Sequence, residues 1–370
     1  MKRQMLFFRA LGAAFVLVAE LFFLAVGPVS CSMGGEDGPD APGGYGSPGS
    51  PKSSGGPGIR IQSAAPPVLE SFTVDSAERM LVSFDKEVSV TDATLSLSGG
   101  GDETIPVTCE DGGDGKSVSL VFDRATEIGQ AYDMRATASD ADGNSLSFCI
   151  SFDGFNDRMP DLLLYEVRNA YSSKTDRYEF VKLYCSKGGN LSGLELLSAG
   201  DGESKAFAFP PIEVQEGEYV TVHLRKMKDE AGNWKQTGMT DEDSGDITAS
   251  TAADSSDMAW DFWQDNQKSR LSPSDIIVLR RRADGKPLDA LLFRDPKKEA
   301  DSWDGKYAAL CRTVTESGLW LDAAGQPSAD IASAFVATGI TNSAVTKTMR
   351  RRSLEYRPSA ASDWEVVQRK

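Results

Sequence analysis

The stretch RMLVSFD, residues 79–85, places three apolar side chains at every second position: Met80, Val82 and Phe84. Side chains two residues apart lie on the same face of a β-strand, so this spacing predicts a strand with one buried face. The same alternation returns in SVSLVFD, residues 117–123, and the turn-forming sequences SGGGDE and DGGDGK lie between the two stretches. Residues of about 67–155 are therefore predicted to form an antiparallel β-sandwich.

Two parts of this region resemble a bacterial Ig-like domain of the kind found in cell-surface proteins: the opening PPVLESFTVDSAERMLVSFDKEVSV, Pro66–Val90, and the closing SDADGNSLSF, Ser139–Phe148. The resemblance implies a spacer or recognition module without a catalytic centre. The segment DADGN, Asp140–Asn144, also has the oxygen-rich character of a calcium loop. An EF-hand loop needs Glu at its twelfth position, which is Ser151 here, so a β-turn is the favoured interpretation.

Residues of about 158–370 form a second region, which opens with MPDLLLYEVRNAYSSKTDRYEFVKLYCSKGGNLSGLELLSAGD. This region resembles a lamin-tail domain, and the matching segments follow the family's order: Glu166, Tyr178–Tyr184, Leu191–Gly193, Ala206–Leu224, Leu271–Phe293 and Arg350–Val366. Lys182 stands where that family usually has Glu, and Cys185 where it usually has Asn. The resemblance implies an Ig-like β-sandwich. The predicted fold class is therefore all-β, with two immunoglobulin-like β-sandwich domains in tandem.

The second region is longer than one sandwich of about 110–130 residues requires, so we expect insertions at about 226–270 and 312–345. Insertions are good candidates for specific recognition because loops vary without disturbing the core. The first insertion contains three aromatic side chains among acidic ones: Trp260, Phe262 and Trp263. Exposed, they would suit a carbohydrate or a protein; buried, they would close the sandwich. The same insertion holds weak Ca²⁺ candidates in an acidic run that a solvated loop explains better: Asp241, Asp243 and Asp246.

Residues 1–30 have the layout of an export signal, in which Lys2, Arg3 and Arg9 precede an apolar run. An uncleaved membrane helix is the alternative, and Glu20 within the run counts against it because an ionised carboxylate is costly in a bilayer. The run ends in Val29-Ser30-Cys31, which resembles a bacterial lipobox, although Pro28 stands where Leu is usual. The resemblance implies that Cys31 is lipidated and becomes the new N-terminus.

The segment after Cys31 is predicted to be a flexible tether, residues 31–66. Of the 35 residues Ser32–Pro66, 22 are Gly, Pro or Ser, which leaves too few apolar groups to offset the entropy of ordering the chain. We therefore expect the protein to be exported and lipid-anchored to a bacterial membrane, at its periplasmic face or at the cell surface.

Four cysteines remain if Cys31 carries lipid: Cys109, Cys149, Cys185 and Cys311. They fall two by two into the two regions, so the simplest disulfides are Cys109 with Cys149 and Cys185 with Cys311. One detail argues against the first pair. In LSFCISF the apolar side chains alternate onto one face, which puts Cys149 on the other face of its strand.

The charge and the residue types limit the function classes. A net charge of −16 repels phosphate backbones. The sole histidine, His223, does not by itself make a catalytic triad or a histidine-rich metal site, although a role as a lone ligand or base stays open. We therefore expect a non-enzymatic binding or structural lipoprotein without a cofactor, whose partner is an unidentified protein or envelope ligand. The alternatives are a nucleic-acid-associated lamin-tail protein, supported by arginine runs at 280–282 and 350–352 and by the pair Lys297-Lys298, and a Ca²⁺-dependent adhesion or carbohydrate-binding module.

Overall fold

The structure is a computed structural model that describes residues 65–100, 103–172, 177–200, 202, 205–226, 245–250, 255–264, 268, 271–297, 302–341, 345–355 and 358–369. The predicted export signal, Cys31, all but the last two residues of the predicted tether, and both Asp241 and Asp243 lie outside these residues. Everything described below belongs to the unit Ile61–Lys370.

The first region forms one curled sheet, a half-barrel, in the order β1-β2-β5-β4-β3-β6-β7. The strands are β1 (Leu69–Ser76), β2 (Arg79–Phe84), β3 (Ser89–Leu97), β4 (Thr104–Asp111), β5 (Ser117–Phe122), β6 (Ala131–Ser139) and β7 (Ser145–Asp153). The alternation predicted for β2 is confirmed, because its three apolar side chains at positions 80, 82 and 84 are buried. They pack with Leu120 and Met134 in a core of their own.

The second region contains fifteen further strands and a helix among the residues that the structure describes. They are β8 (Asp161–Arg168), β9 (Phe180–Lys187), β10 (Gly189–Asn190), β11 (Leu194–Ser198), β12 (Phe207–Ala208), β13 (Glu213–Val214), β14 (Tyr219–His223), β15 (Ala259–Trp263), β16 (Asp275–Arg281), β17 (Pro287–Arg294), α1 (Ala308–Ser317), β18 (Trp320–Leu321), β19 (Phe335–Val336), β20 (Lys347–Arg351), β21 (Ser359–Ala360) and β22 (Trp364–Gln368).

Two larger sheets share the core of this region. One has six strands in the order β15-β14-β9-β8-β20-β22, and the other has five in the order β12-β11-β16-β17-β19. Apolar side chains from both sheets form one hydrophobic cluster, in which Leu164, Leu183 and Val222 of the first sheet meet Val278 and Leu291 of the second. The protein is therefore mostly β, as predicted.

Two elements differ from the sequence prediction. The helix α1 starts just before the insertion expected at 312–345, and it buries Leu310 and Val314, which lie one turn apart. Strand β15 comes from the insertion expected at 226–270 and pairs in parallel with β14. A parallel neighbour needs a long crossover, so local periodicity could not indicate this pairing.

A buried ion pair connects β17 of the five-stranded sheet with β20 of the six-stranded sheet. Both nitrogens at the tip of Arg351 donate to Asp289, at 2.8 and 3.2 Å. The same carboxylate accepts the backbone N–H groups of Leu164 and Ala290, and Arg351 also donates to the Ser359 hydroxyl. Each of the two charges thus has several hydrogen-bond partners inside the core, which is the condition under which a buried pair is tolerated.

A second buried carboxylate, Asp275, lies at the start of β16, and the groups that donate hydrogen bonds to it are neutral. Its oxygens accept hydrogen bonds from the Ser198 hydroxyl at 2.7 Å and from the backbone N–H groups of Gly200, Ser272 and Ile276. These bonds favour the ionised form, yet burial outweighs them and raises the pKa of Asp275 from 3.8 to about 6.

The raised pKa predicts a specific dependence of stability on pH. The folded state binds the Asp275 proton more tightly than the unfolded state does, because the pKa is about 6 in the first and 3.8 in the second. The stabilisation of the folded state by the protonated carboxyl is therefore complete below pH 3.8 and is lost as the pH rises through about 6. The difference in free energy of unfolding between wild type and Asp275→Asn should shrink by on the order of 3 kcal/mol over that window. Urea titrations of both proteins across the window measure it, and a constant difference would contradict the prediction.

The two regions contact each other where β7 leads into β8. Asn156 donates from its amide to the carbonyl oxygens of Asn190 and Ser192, at 2.8 Å each. Asp153 at the end of β7 forms an ion pair with Arg282 at the end of β16. Polar contacts therefore join the half-barrel to the second region.

Candidate functional site

The three aromatic residues proposed from the sequence as a binding surface lie on β15, at the edge of the six-stranded sheet. Trp260 and Phe262 belong to the hydrophobic core, with 8% and 0% of their surfaces exposed. Trp263 points to the other face of the sheet and is half-buried. Of the two interpretations, burial therefore holds for Trp260 and Phe262. The three residues do not form an exposed binding surface together.

The face of the six-stranded sheet that is turned away from the core is called here the outer face, and it carries polar and aromatic side chains in register. One row across β9, β14 and β15 is Lys182, Thr221 and Asp261; the next is Phe180, His223 and Trp263. Lys182, Thr221, His223 and Asp261 are all buried. Polar side chains on the outside of a sheet are usually exposed to solvent, so a buried polar layer at this position is unusual.

The sole histidine is at the centre of this layer. His223 Nε2 lies 3.0 Å from Asp261 Oδ1, and the Trp263 ring stacks on the imidazole with centroids 3.9 Å apart and an angle of 11° between planes. The imidazole is 1% exposed, and its Nδ1 has no hydrogen-bond partner among the residues that the structure describes. A His–Asp pair can act as a general base only where a hydroxyl or a water reaches the imidazole. In this conformation Trp263 covers the ring, so the pair holds β15 against β14.

Two buried charged residues on β8, Glu166 and Arg168, have partners elsewhere in the chain. Glu166 accepts the Thr348 hydroxyl at 2.6 Å, and Arg369 lies 3.5 Å from the same oxygen. Arg168 donates to the carbonyl oxygen of Tyr178, and its guanidinium lies over the Phe180 ring at 4.7 Å. The Glu166 contacts connect β8 with the C-terminal strands, and the Arg168 contacts connect β8 with the start of β9, which indicates a structural role for both charges.

Three tyrosines on the outer face form a half-buried group, called here the tyrosine patch: Tyr165, Tyr184 and Tyr219. The Tyr219 ring lies 5.2 Å from Tyr165 and 5.3 Å from Tyr184, measured between centroids. Burial raises the pKa of the Tyr219 hydroxyl, and Lys182 Nζ lies 5.8 Å from its ring centroid. Sequence reasoning missed this patch, because the tyrosines come from three strands and only the register brings them together.

The arginine runs that support the nucleic-acid alternative are engaged by carboxylates. Arg280 pairs with Glu195 and Arg281 with Asp284, while Arg282 pairs with Asp153. In the second run, Arg350 and Arg352 both contact Glu365, and Arg351 is the buried partner of Asp289. Each of these positive charges therefore faces a negative one, which weakens the attraction that the runs could exert on phosphates.

The calcium candidates that the structure describes make local turn contacts. Asp246 accepts the backbone N–H and the hydroxyl of Thr248, at 2.9 and 2.8 Å. Asp140 accepts from Lys86 and Asn144, and Gly143 adopts a positive φ of 86°, as the β-turn interpretation requires. Within the described residues, no three side chains of the His, Cys, Asp or Glu type group closely enough to hold a metal ion.

The predicted disulfides do not form in the structure, where all four cysteines are free thiols. Cys109 is on β4 and Cys149 on β7, and the strands β3 and β6 lie between them in the sheet. Cys149 is exposed on the face opposite to its apolar neighbours, as its strand pattern predicts. Cys185 is buried in β9, where burial raises the pKa of its thiol to about 11, and Cys311 is half-buried in α1.

The second region matches a known protein family. The family profile described as "protein second domain" matches residues 160–366. The chain belongs to this second-domain family. One relative is an uncharacterized protein of Treponema pallidum (strain Nichols), which is 30% identical over 207 residues, corresponding to 54% of this chain and 50% of the relative. The chain thus spans about half the length of that relative.

Among solved structures, the N-terminal part of the bacterial S-layer protein SbsC aligns with a TM-score of 0.24 and 14% identity, over 62% of this chain and 44% of that one. A DUF4876 family protein from Bacteroides thetaiotaomicron aligns with a TM-score of 0.28 and 11% identity, over 76% of this chain and 89% of that one. TM-scores this low do not establish a shared overall fold. None of the helices in the described part of the chain has the length and hydrophobicity needed to cross a bilayer.

Proposed function

We propose that the chain is an exported bacterial lipoprotein, anchored through Cys31, that acts by binding or structural contacts in the cell envelope. The observation that carries this proposal is the junction Val29-Ser30-Cys31, where an apolar run with a basic start ends and a segment rich in Gly, Pro and Ser begins. Two or three acyl chains on one cysteine bind a membrane stably, where a single chain does not. The tether would then hold the β-rich unit away from the lipid surface.

We also propose that the half-barrel is an Ig-like module and that the second region is a lamin-tail module. If β1 to β7 are lettered A to G, the groups β1-β2-β5-β4 and β3-β6-β7 have the strand order ABED and CFG of a constant-type Ig domain. For the second region, the lamin-tail resemblance covers nearly the same residues as the second-domain family. Its matching residue Glu166, on β8, is buried and accepts a hydrogen bond from Thr348 on β20. These observations support an Ig-like module followed by a lamin-tail module.

The site geometry favours binding over catalysis. The imidazole of His223 is closed off by Trp263, and the buried charges of Glu166 and Arg168 have partners within the chain. The tyrosine patch remains partly accessible, and tyrosine rings combine a large apolar contact area with a polar hydroxyl. We therefore place recognition of an envelope ligand or protein partner on this patch, in place of Trp260 and Phe262.

The anchor is tested by intact-mass analysis of detergent-extracted protein beside the variants Cys31→Ser and Cys149→Ser. Wild type and Cys149→Ser should start at Cys31, carry two or three acyl chains and remain in the membrane fraction. Cys31→Ser should lack the lipid and leave that fraction, because the hydrophobic attachment is gone. A wild-type protein that starts at Met1, or elsewhere without lipid, would overturn the proposal.

A further inference from the structure

Strand β7 ends the seven-stranded sheet, and among the described residues no strand pairs with its outer edge. Its pairing with β6 runs over nine residues, Ser145–Asp153, without a bulge. Proteins usually protect such an edge with charges, prolines or bulges. From Ser145 to Phe152 the strand has no charged residue and no proline. The opposite edge, β1, is protected, since it carries charges such as Glu70 and Asp75 and two irregularities in register.

The hydrogen-bond pattern shows which groups β7 offers at its free edge. Asp140 N–H donates to the Asn144 carbonyl, and Gly154 N–H donates to the Gln130 carbonyl, so even-numbered residues of β7 pair with β6. Odd-numbered residues therefore point their N–H and C=O groups to the free edge: Ser145, Ser147, Cys149, Ser151 and Asp153. Their side chains lie on the solvent face, where the first four are exposed.

The edge is complementary to itself. The strand is centred on Cys149, four residues from either end, so two copies in antiparallel pairing about a two-fold axis at Cys149 would match along their whole length. In that register Ser147 lies opposite Ser151 of the second copy. On the other face, the half-buried Leu146 and Phe148 would lie opposite Phe152 and Ile150 of the second copy, which would cover apolar surface that one copy leaves partly exposed.

Charge along this strand does not oppose a second copy as the occupant. Two chains of net charge −16 repel each other, and they can approach most easily where the contact strip is neutral. The uncharged stretch Ser145–Phe152 is such a strip. We propose that β7 is the interface of a homodimer, formed by antiparallel pairing of the β7 strands about Cys149.

This register predicts a covalent link. Hydrogen-bonded opposite residues in antiparallel strands have Cα atoms about 5.5 Å apart, which lies within the range that a disulfide spans. A small-molecule disulfide is the oxidant: the Cys149 thiolate attacks it and expels one thiolate, and the thiolate of the second copy's Cys149 then attacks the mixed disulfide and expels the other. The protein thiols lose two protons and two electrons, and the small disulfide gains them. Formation of this link in the cell rests on the proposed export to an oxidising compartment.

The test uses the full chain with Cys31→Ser in every sample, so that the sulfur of Cys31 cannot pair. Three further changes are compared with this parent: Ser147→Pro, Cys149→Ser and the control Cys109→Ser, which alters a half-buried thiol in the same region. Proline at position 147 removes an N–H that faces the free edge, so the pairing with β6 is kept while the dimer contact is blocked. Circular dichroism and thermal melting check that Ser147→Pro folds. If this variant does not fold, Ser147→Lys is used in its place, because a charged side chain on the edge also opposes strand pairing.

Sedimentation under reducing conditions should give dimers for the parent, Cys149→Ser and Cys109→Ser, and at least tenfold weaker association for Ser147→Pro. After incubation with oxidised glutathione, non-reducing electrophoresis and peptide mass analysis should show a Cys149–Cys149 link in the parent and in Cys109→Ser. The variants Cys149→Ser and Ser147→Pro should not show this link. A monomeric parent would overturn the proposal, as would a covalent dimer that forms equally in Ser147→Pro or links another cysteine. Because Cys31 is absent, these results are independent of the outcome of the anchoring experiment.

Discussion

Arg351→Met is expected to lower the free energy of unfolding by about 3–5 kcal/mol, because it leaves the buried Asp289 carboxylate without its cation. Arg351 provides two of the four hydrogen bonds that Asp289 accepts in the structure, and the other two come from backbone N–H groups. Burial already raises the pKa of Asp289 against the opposing effect of Arg351. Without Arg351 the carboxyl should bind a proton more readily, so the cost of the substitution should diminish as the pH falls.

Urea unfolding followed by tryptophan fluorescence measures this loss. The matched control is Arg281→Met, which breaks the partly exposed ion pair with Asp284 and should cost about 0–1 kcal/mol. The double variant Arg351→Met/Asp289→Leu should recover much of the stability, because it removes both buried charges. If Arg351→Met costs no more than Arg281→Met, the pair does not hold the two sheets together as described.

Phe262→Ala is expected to cost about 3–5 kcal/mol of unfolding free energy, the usual loss for removing a buried aromatic ring. Phe262 is completely buried, and its ring lies 6.2 Å from that of Phe207 and 6.5 Å from that of Phe209. A cavity between the two sheets would remain, since β15 cannot move inward without leaving β14. A residue of a ligand surface would behave differently, with little loss of stability.

The control for Phe262→Ala is Met258→Ala. Met258 lies just before strand β15 and is 56% exposed. Its effect should remain within about 0.5 kcal/mol, as for most surface substitutions. Thermal denaturation of the two variants beside wild type provides the comparison. Equal melting temperatures for wild type and Phe262→Ala would contradict the assignment of β15 to the core.

The sequence predicts a strand well where one face of that strand is exposed to solvent and the other face is buried. The alternation at Met80, Val82 and Phe84 is such a case, because the period of two is a local property. The pairing of β15 with β14 was not predictable in this way, since it joins residues that are far apart in the chain. In β15 both faces are covered, so Trp260 and Asp261 are both buried and the strand shows no alternation.

The candidate site was less predictable than the strands. His223 was notable in the sequence as the sole histidine, but its partner Asp261 is 38 residues away and is brought near by the parallel register. The tyrosine patch depends on three strands and on an irregularity in β8 next to Tyr165. The cysteine pairing was wrong for a similar reason, because counting cysteines by region says nothing about which strands lie between them.

The position of β8 has a consequence for the order in which the chain folds. This strand is the first of the second region, and it lies between β9 and β20, so Glu166 meets Thr348 across 182 positions of the chain. Such distant contacts are slow to form, and they cannot form before the late residues exist. During synthesis the N-terminal half-barrel, with its separate core, can fold first, whereas the second region stays open until nearly its last residues have emerged. A ribosome that stops before Lys347 would therefore release a chain with one folded module and one that cannot close.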